Sequence, residues 1–347
     1  MKLSKGSALT IVDVAERAGV SVSTVSRVLN SKADVARSTR ERVETAVSEL
    51  GFSPQITAQR LAGGRSHTVA MLFPSAKDHR ADHDIDFVFG AAEATAGRDY
   101  YFALATEPLT SDDLVNTFRS GVAEGAILMQ VSLSDWRVRI AADLNLPCVL
   151  IGRTDEVHEL SWVDFDFEGA VSAMVDHLVA IGHRAIGFIG RPREALEAGL
   201  GSAIRLQRGY EKSMVRHGLE PLAATAEIDA TAAAQSVLHL VDSRPDISAF
   251  VATHAAVAVG AVRALASRGL DVPRDVSVMT LASTRSAILS TPALSGVDFP
   301  SEQLGYQAAH VLVRELDSRA AGRPRQIEQI LLPAELVLRA STAPPLN

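Results

Sequence analysis

From residue 67 onward the chain alternates short apolar runs with amphipathic stretches, and this alternation narrows its fold more than any other feature. The runs are TVAMLFP, YYFALAT, GAILMQ, PCVLIG, AIGFIG, AFVAT and VSVMTL, and a helical pattern over 87–98 follows the first of them. Runs this short, bounded by helical patterns, read as parallel strands covered on both faces and joined by crossover helices. The expected body is therefore α/β. A length of 347 residues also predicts two or three domains.

The net charge of -7 hides a division. Residues 1–66 hold ten Lys and Arg against six Asp and Glu, while the remaining 281 residues hold 24 against 35. A small basic head on an acidic body is expected where one end of a protein meets a polyanion. No apolar run approaches the roughly 18 residues that span a bilayer, and the start lacks the apolar core of a signal peptide, so a cytoplasmic protein without membrane contact is expected. The single cysteine, Cys148, lies in the apolar run LPCVLIG and reads as a buried small hydrophobe. The stretch KDHRADHDID at 77–86 reads as a solvated loop rather than a metal site, and no metal or cofactor is expected. Enzyme motifs are missing: there is no nucleophile elbow, Walker loop or His-Glu metal helix, and GLGSAI at 199–204 lacks the third glycine of a dinucleotide fingerprint.

Within the basic head, Thr10 and Asp13 have the spacing of a capping box, and Ile11, Val14, Ala15 and Ala18 form the apolar face of a helix of about eight residues that Gly19 closes. Ser21 is placed to cap a second helix with Val22, Val25, Val28 and Leu29 on one stripe. A third is expected from Ser38 or Thr39 to Leu50. Two short helices on a tight turn, braced by a third, make a helix-turn-helix whose second helix enters the DNA major groove. Val25 and Val28 then hold the core, while Ser23, Thr24, Ser26 and Arg27 face phosphates and base edges, with Arg27 suited to bidentate reading of guanine. Val22 fits a thymine methyl or fills space. Thr10 and Asn30 complete this set of DNA-binding candidates. The segment PQITAQRLAGGRSHT that follows has the composition of a linker with one or two helical turns, too short to be stable alone.

The stretch LTIVDVAERAGVSVSTVSRVLNSKADVARSTRERVETAVSELGFSP closely resembles the N-terminal domain of the LacI/GalR family of bacterial transcription regulators. The resemblance implies that Val22 and Ser23 tune operator preference, that Arg27 reads a base, and that Ser21, Thr24 and Ser26 contact phosphate or cap the helix. It also implies a hinge helix, with Leu61 as a minor-groove lever, Ala58 beside it and Gln55 where asparagine is usual. HLVAIGHRAIGFIG, GAVRALASRGLDVPRDVSVM, TPALSGVDFPSEQLGYQAA and LLPAELVLRAST resemble landmarks of the family's ligand-binding core, which is similar to periplasmic binding proteins. The implied organisation is an all-α helix-turn-helix domain over 1–52, a hinge over 53–66, and a core over 67–347 of two α/β subdomains with parallel sheets. The implied function is regulation, usually repression, by a homodimer on palindromic double-stranded operator DNA, with affinity set by a small molecule in the cleft. Candidate effector residues are Asp86, Phe87, Arg153, Asp164, Arg205, Thr253, His254 and Ser283. The family's sugar-binding members usually carry an Asn-Asp pair at Thr253 and His254, two aspartates at Ala282 and Ser283, and arginine at Leu206. Loss of those groups removes bidentate partners for sugar hydroxyls and points to an atypical effector, or to a core that serves only for dimerisation under constitutive DNA binding.

Overall fold

The computed structural model describes residues 9–29, 35–52, 65–73 and 84–346. The chain divides into two compact units, Met1–Ser66 and His67–Asn347. In the first, α1 (Ile11–Ala18) begins at Thr10, whose backbone N and Oγ1 both donate to Asp13 Oδ2, at 2.7 and 2.8 Å. Those two bonds hold the Asp13 carboxyl below its ordinary pKa. Gly19, at φ +64, ends the helix. In α2 (Val22–Leu29) the first turn is closed by Ser21 Oγ, which accepts from Thr24 N at 3.2 Å. The third helix, α3, spans Arg37–Leu50 and so starts before the expected Ser38 or Thr39. Ala36 occupies its N-cap without a side-chain bond, and an Arg37–Glu41 pair at 2.9 Å lies along its first turns. Helices of 8 and 14 residues are marginal in isolation. A shared core of Val14, Ala18, Val25, Val28, Val43, Ala46 and Phe52 holds them together, and Arg42 Nη2 donates to Gly19 O at 2.9 Å.

The second unit contains two subdomains. The first begins β1 (Thr68–Leu72), α4 (Asp84–Thr95), β2 (Tyr101–Ala105), α5 (Ser111–Arg119), β3 (Gly125–Leu128), α6 (Trp136–Asp143), β4 (Cys148–Ile151) and β5 (Ser161–Phe165). The chain then crosses to the other subdomain: α7 (Phe167–Ala180), β6 (Ile186–Gly190), α8 (Arg193–Glu197), α9 (Gly201–Arg216), β7 (Leu222–Thr225), α10 (Ala230–Ser243), β8 (Ala249–Ala252), α11 (Ala255–Ser267), β9 (Ser277–Ala282), α12 (Thr284–Ile288) and β10 (Ser295–Asp298). It returns through α13 (Ser301–Ala320) to β11 (Gln329–Leu332), then crosses a third time to β12 (Leu336–Val337).

The first sheet has the order β2-β1-β3-β4-β5-β11 and is parallel throughout. The second repeats the plan as β7-β6-β8-β9-β10-β12, with β12 antiparallel. The seven expected apolar runs are all strands. Helix α4 begins at Asp84 instead of residue 87, because Asp84 and Asp86 supply the negative charge a first turn favours. Strand β5 was not among the runs. Its Ser161 and Asp164 make it look polar, yet both are buried, and Ser161 Oγ accepts from Glu328 N at 3.0 Å.

Four phenylalanines gather where the chain passes between subdomains. Phe165 and Phe167 flank the first crossing and Phe299 the second, with ring centroids 5.3 to 5.8 Å apart, and Phe87 of α4 joins them at 5.9 Å. Such edge-to-face and tilted packing is the favoured geometry for aromatic pairs.

Candidate functional site

In the first unit the burial pattern divides α2 cleanly. Val25 and Val28 are buried, Ser21, Val22, Ser23 and Arg27 are exposed, and Thr24 and Ser26 lie between. Ser21 Oγ is 2.8 Å from both Ser23 Oγ and Thr24 Oγ1, so hydroxyls crowd the positive end of the helix dipole. That arrangement suits hydrogen bonds to phosphate oxygens, with Arg27 one turn further along. Thr10 is exposed as well, its hydroxyl directed to Asp13. Asn30, Gln55, Ala58 and Leu61 lie outside the described residues, as do His79, Asp82 and His83.

In the second unit a cleft enclosing about 100 Å³ opens at the carboxyl ends of β1, β3, β4 and β5 on one side and β6, β8 and β9 on the other. Of the expected effector residues, Phe87, Asp164, Thr253 and His254 line it. Arg153 and Arg205 stand behind Asp164: their guanidinium groups lie 3.5 and 3.8 Å from Asp164 Oδ2, and Arg205 Nη2 donates to Arg153 O at 3.0 Å. Arg153 also lies over the Trp162 ring, 5.4 Å from its centroid. Burial pushes the Asp164 carboxyl above its ordinary pKa, against the opposing pull of Arg205, the Phe165 N–H and Arg153. Because Arg205 belongs to α9 and Asp164 to β5, this pair ties the two subdomains together. Asp86 and Ser283 lie elsewhere. They line a separate hollow with Asp298, Glu302 and Tyr306. Asp86, two residues along α4 from the cleft-lining Asp84, turns to Ser301, whose Oγ donates to it at 3.4 Å, and Ser283 is engaged as the N-cap of α12.

Sequence reasoning missed Arg191, which follows β6 and lines the cleft beside Asp84. Its Nη1 donates to His254 Nε2, which requires the neutral ring with its proton on Nδ1. Burial pulls the Arg191 pKa down to about 10, against support from the charges of Asp84 and Glu227. A signal was present: Ile151-Gly152-Arg153 and Ile189-Gly190-Arg191 are the same tripeptide, at the end of β4 in one subdomain and of β6 in the other. Also unanticipated are Phe73, Phe167 and Phe299, which with Met129, Leu206 and Leu281 give the cleft a largely apolar wall. The Thr253 hydroxyl is engaged by Ile189 O at 3.2 Å. Among the described residues no group of three His, Cys, Asp or Glu is placed to hold a metal, and no helix is long and apolar enough to cross a membrane. Cys148 is fully buried, and desolvation pushes its thiol up to about 12.

Residues 10–55 match the family model described as bacterial regulatory proteins, lacI family, and residues 175–342 match the model of a periplasmic binding protein-like domain. The chain thus carries a LacI-type DNA-binding domain and a periplasmic-binding-protein-like domain. Curated LacI-type relatives match along nearly their whole length. The transcriptional regulator RegA of Clostridium saccharobutylicum is 28% identical over 341 residues, covering 96% of this chain and 99% of the relative. The lactose operon repressor of Escherichia coli is 28% identical over 346 residues, covering 97% and 91%. Among solved structures, the lac repressor dimer bound to operator and the anti-inducer ONPF superposes with a TM-score of 0.81 at 26% identity, covering 96% of this chain and 99% of that one. The complex of the regulator CelR with cellobiose gives 0.67 at 26% identity, with the same coverage. A helix-turn-helix unit joined to a periplasmic-binding-protein-like core is the make-up of a DNA-binding transcriptional regulator, which is what the curated relatives are, rather than of an enzyme.

Proposed function

We propose that the protein is a cytoplasmic repressor that binds a palindromic operator as a homodimer, and that a small molecule in the cleft sets its affinity for DNA. The observation that carries this reading is α2, whose apolar face is committed to a three-helix core while Ser21, Val22, Ser23 and Arg27 project outward. Thr10, Thr24, Ser26 and Asn30 complete the DNA-contact set, and Gln55, Ala58 and Leu61 form a hinge that wedges Leu61 into the minor groove. The operator-bound lac repressor dimer supports the partner and the symmetry. So do the large apolar side chains left exposed on the α/β unit, Phe89 at 62%, Tyr101 at 62% and Leu289 at 78%, which a second copy is suited to cover. The enclosed cleft supports ligand control over constitutive binding, because a ligand shifts DNA affinity only through differential binding to two states, and a cavity between two subdomains supplies that difference.

Selection of bound sequences from a random DNA pool by the full chain is expected to return a palindrome, since a two-fold dimer presents two identical heads. Arg27→Ala should weaken the selected site by about 1 to 3 kcal/mol and relax one position in each half-site. A non-symmetric motif, or an unchanged preference in the variant, would contradict the reading.

A further inference from the structure

A sugar ring carries a hydroxyl on nearly every carbon and needs polar partners around its rim, and the described wall of this cleft supplies few. Asp164 has its charge balanced by Arg153 and Arg205 at 3.5 and 3.8 Å, and the Thr253 hydroxyl is held by Ile189 O. Phe73, Phe87, Phe167 and Phe299 supply four aromatic surfaces instead. The cleft's volume of about 100 Å³ is below the roughly 150 Å³ of an apolar cavity that admits benzene, so it takes no more than one ring and only as its walls give way.

The polar wall has two buried atoms without a hydrogen-bond partner: Asp164 Oδ2, which has only the charges of Arg153 and Arg205 beside it, and a donor on Arg191. Arg191 Nε is fully enclosed and has no hydrogen-bond partner, although Arg191 lines the cleft and its Nη1 is engaged by His254. A guanidinium presents its Nε and one Nη as a planar fork that matches a carboxylate with two parallel bonds. At neutral pH the group stays protonated despite its burial.

Resting on the ligand-controlled reading above, we propose that the cleft takes a small aromatic carboxylic acid, its ring among the four phenylalanines and its carboxylate on the Nε edge of Arg191. The polar side chains of Gln130 and Ser202 line the same space and engage no other described residue, so a hydroxyl on the ring meets a partner there. The ring gives affinity through apolar contact. The carboxylate completes a buried donor that would otherwise remain unsatisfied.

The test is calorimetry and thermal unfolding of the full chain with benzoate and 4-hydroxybenzoate, against benzyl alcohol as an uncharged ring, acetate as a carboxylate without a ring, and glucose and cellobiose. Benzoate or its hydroxylated form is expected to bind and raise the unfolding temperature, with the other four at least tenfold weaker. Arg191→Gln should weaken benzoate at least tenfold and leave any weak binding of benzyl alcohol in place. Arg191→Lys, which keeps the charge and loses the fork, should fall between. The inference is overturned if a sugar binds and the aromatic acids do not, if neither aromatic acid binds, or if the Arg191 substitutions leave benzoate affinity unchanged. Binding of benzoate that leaves operator affinity unaltered would uphold the ligand class and overturn control of DNA binding.

Discussion

A carboxylate buried beside an arginine, as Asp135 is beside Arg137, stabilises a fold only while both partners remain. Asp135 is 4% and Arg137 5% exposed. Asp135 Oδ2 accepts from Arg137 Nη2 at 2.6 Å, and Oδ1 accepts from Arg137 Nε at 3.0 Å and from its backbone N at 2.9 Å. The same guanidinium donates to Gln130 O at 3.0 Å, holding a cleft-lining residue that sits in the left-handed region at φ +51. Asp135→Ala leaves Arg137 as an uncompensated buried charge and is expected to cost about 3 to 5 kcal/mol in urea unfolding. A loss below about 1 kcal/mol would show that the pair contributes little. The pH dependence follows from the direction of the shift. Burial pushes the Asp135 carboxyl up, but the Arg137 bond and charge and the Ser132 and Arg137 backbone N–H groups outweigh it and hold the group below its ordinary 3.8. Its contribution is therefore present above about pH 4 and lost as pH falls through the lower folded value. Asp135→Asn should flatten that part of the acid limb.

At the scale of elements, the cleft depends on how closely α4 and α13 approach. A methyl built on Gly90 would lie 2.0 Å from Glu302 O, and one on Gly305 would lie 2.1 Å from Phe87 O. Backbone meets backbone at both points, so no side chain can turn aside to make room. Gly305→Ala is expected to force the helices apart, destabilise the chain by about 1 to 3 kcal/mol, and displace Phe87 and Leu304 from the cleft wall. Chemical denaturation measures the first effect, and a stability within about 0.5 kcal/mol of wild type would contradict it. Such contacts explain what the sequence left unread. The strands buried on both faces announced themselves as apolar runs, and the helix-turn-helix followed from caps and periodicity within a few dozen residues. Strand β5 did not, because Ser161 is satisfied by Glu328 and Asp164 is balanced by the charge of Arg205, both distant in the chain. Arg191 carried a local signal in its repeated tripeptide, but its pairing with His254 and Asp84 comes from three separate segments. Phe73, Phe87, Phe167 and Phe299 come from four, and only the crossings between subdomains bring them to one place.

At the scale of the whole α/β unit, the two subdomains are held across one side of the cleft by two backbone bonds and one serine hydroxyl. Leu133 N donates to Gly199 O at 2.8 Å, Gly201 N to Val131 O at 3.0 Å, and Ser132 Oγ to Ala198 O at 3.0 Å. The first partner in each case lies on the loop after β3 or the segment from α8 into α9, and every bond joins the two. Neutral hydrogen bonds of this kind contribute about 1 kcal/mol each, little enough for a ligand to shift the balance between closed and open forms. A covalent tie removes that freedom. The Cβ position at Gly199 lies 4.0 Å from Ser132 Cβ, within the roughly 3.5 to 4.5 Å that a disulfide spans. The strain of a side chain at Gly199, φ +71, adds about 1 to 2 kcal/mol to the cost of the double substitution. Cys148, fully buried in the first subdomain, does not compete for the new thiols. Ser132→Cys with Gly199→Cys should therefore oxidise readily and fix the cleft shut. If cleft closure and DNA affinity are coupled with the usual allosteric strength, oxidised and reduced forms will differ in operator affinity by about 5- to 150-fold, measured by titration of labelled DNA with and without reductant. Tighter binding by the oxidised form would make the closed cleft the repressing state, and weaker binding would make it the released one. Equal affinities would mean that the cleft and the DNA-binding unit act independently, and would remove the basis for ligand control.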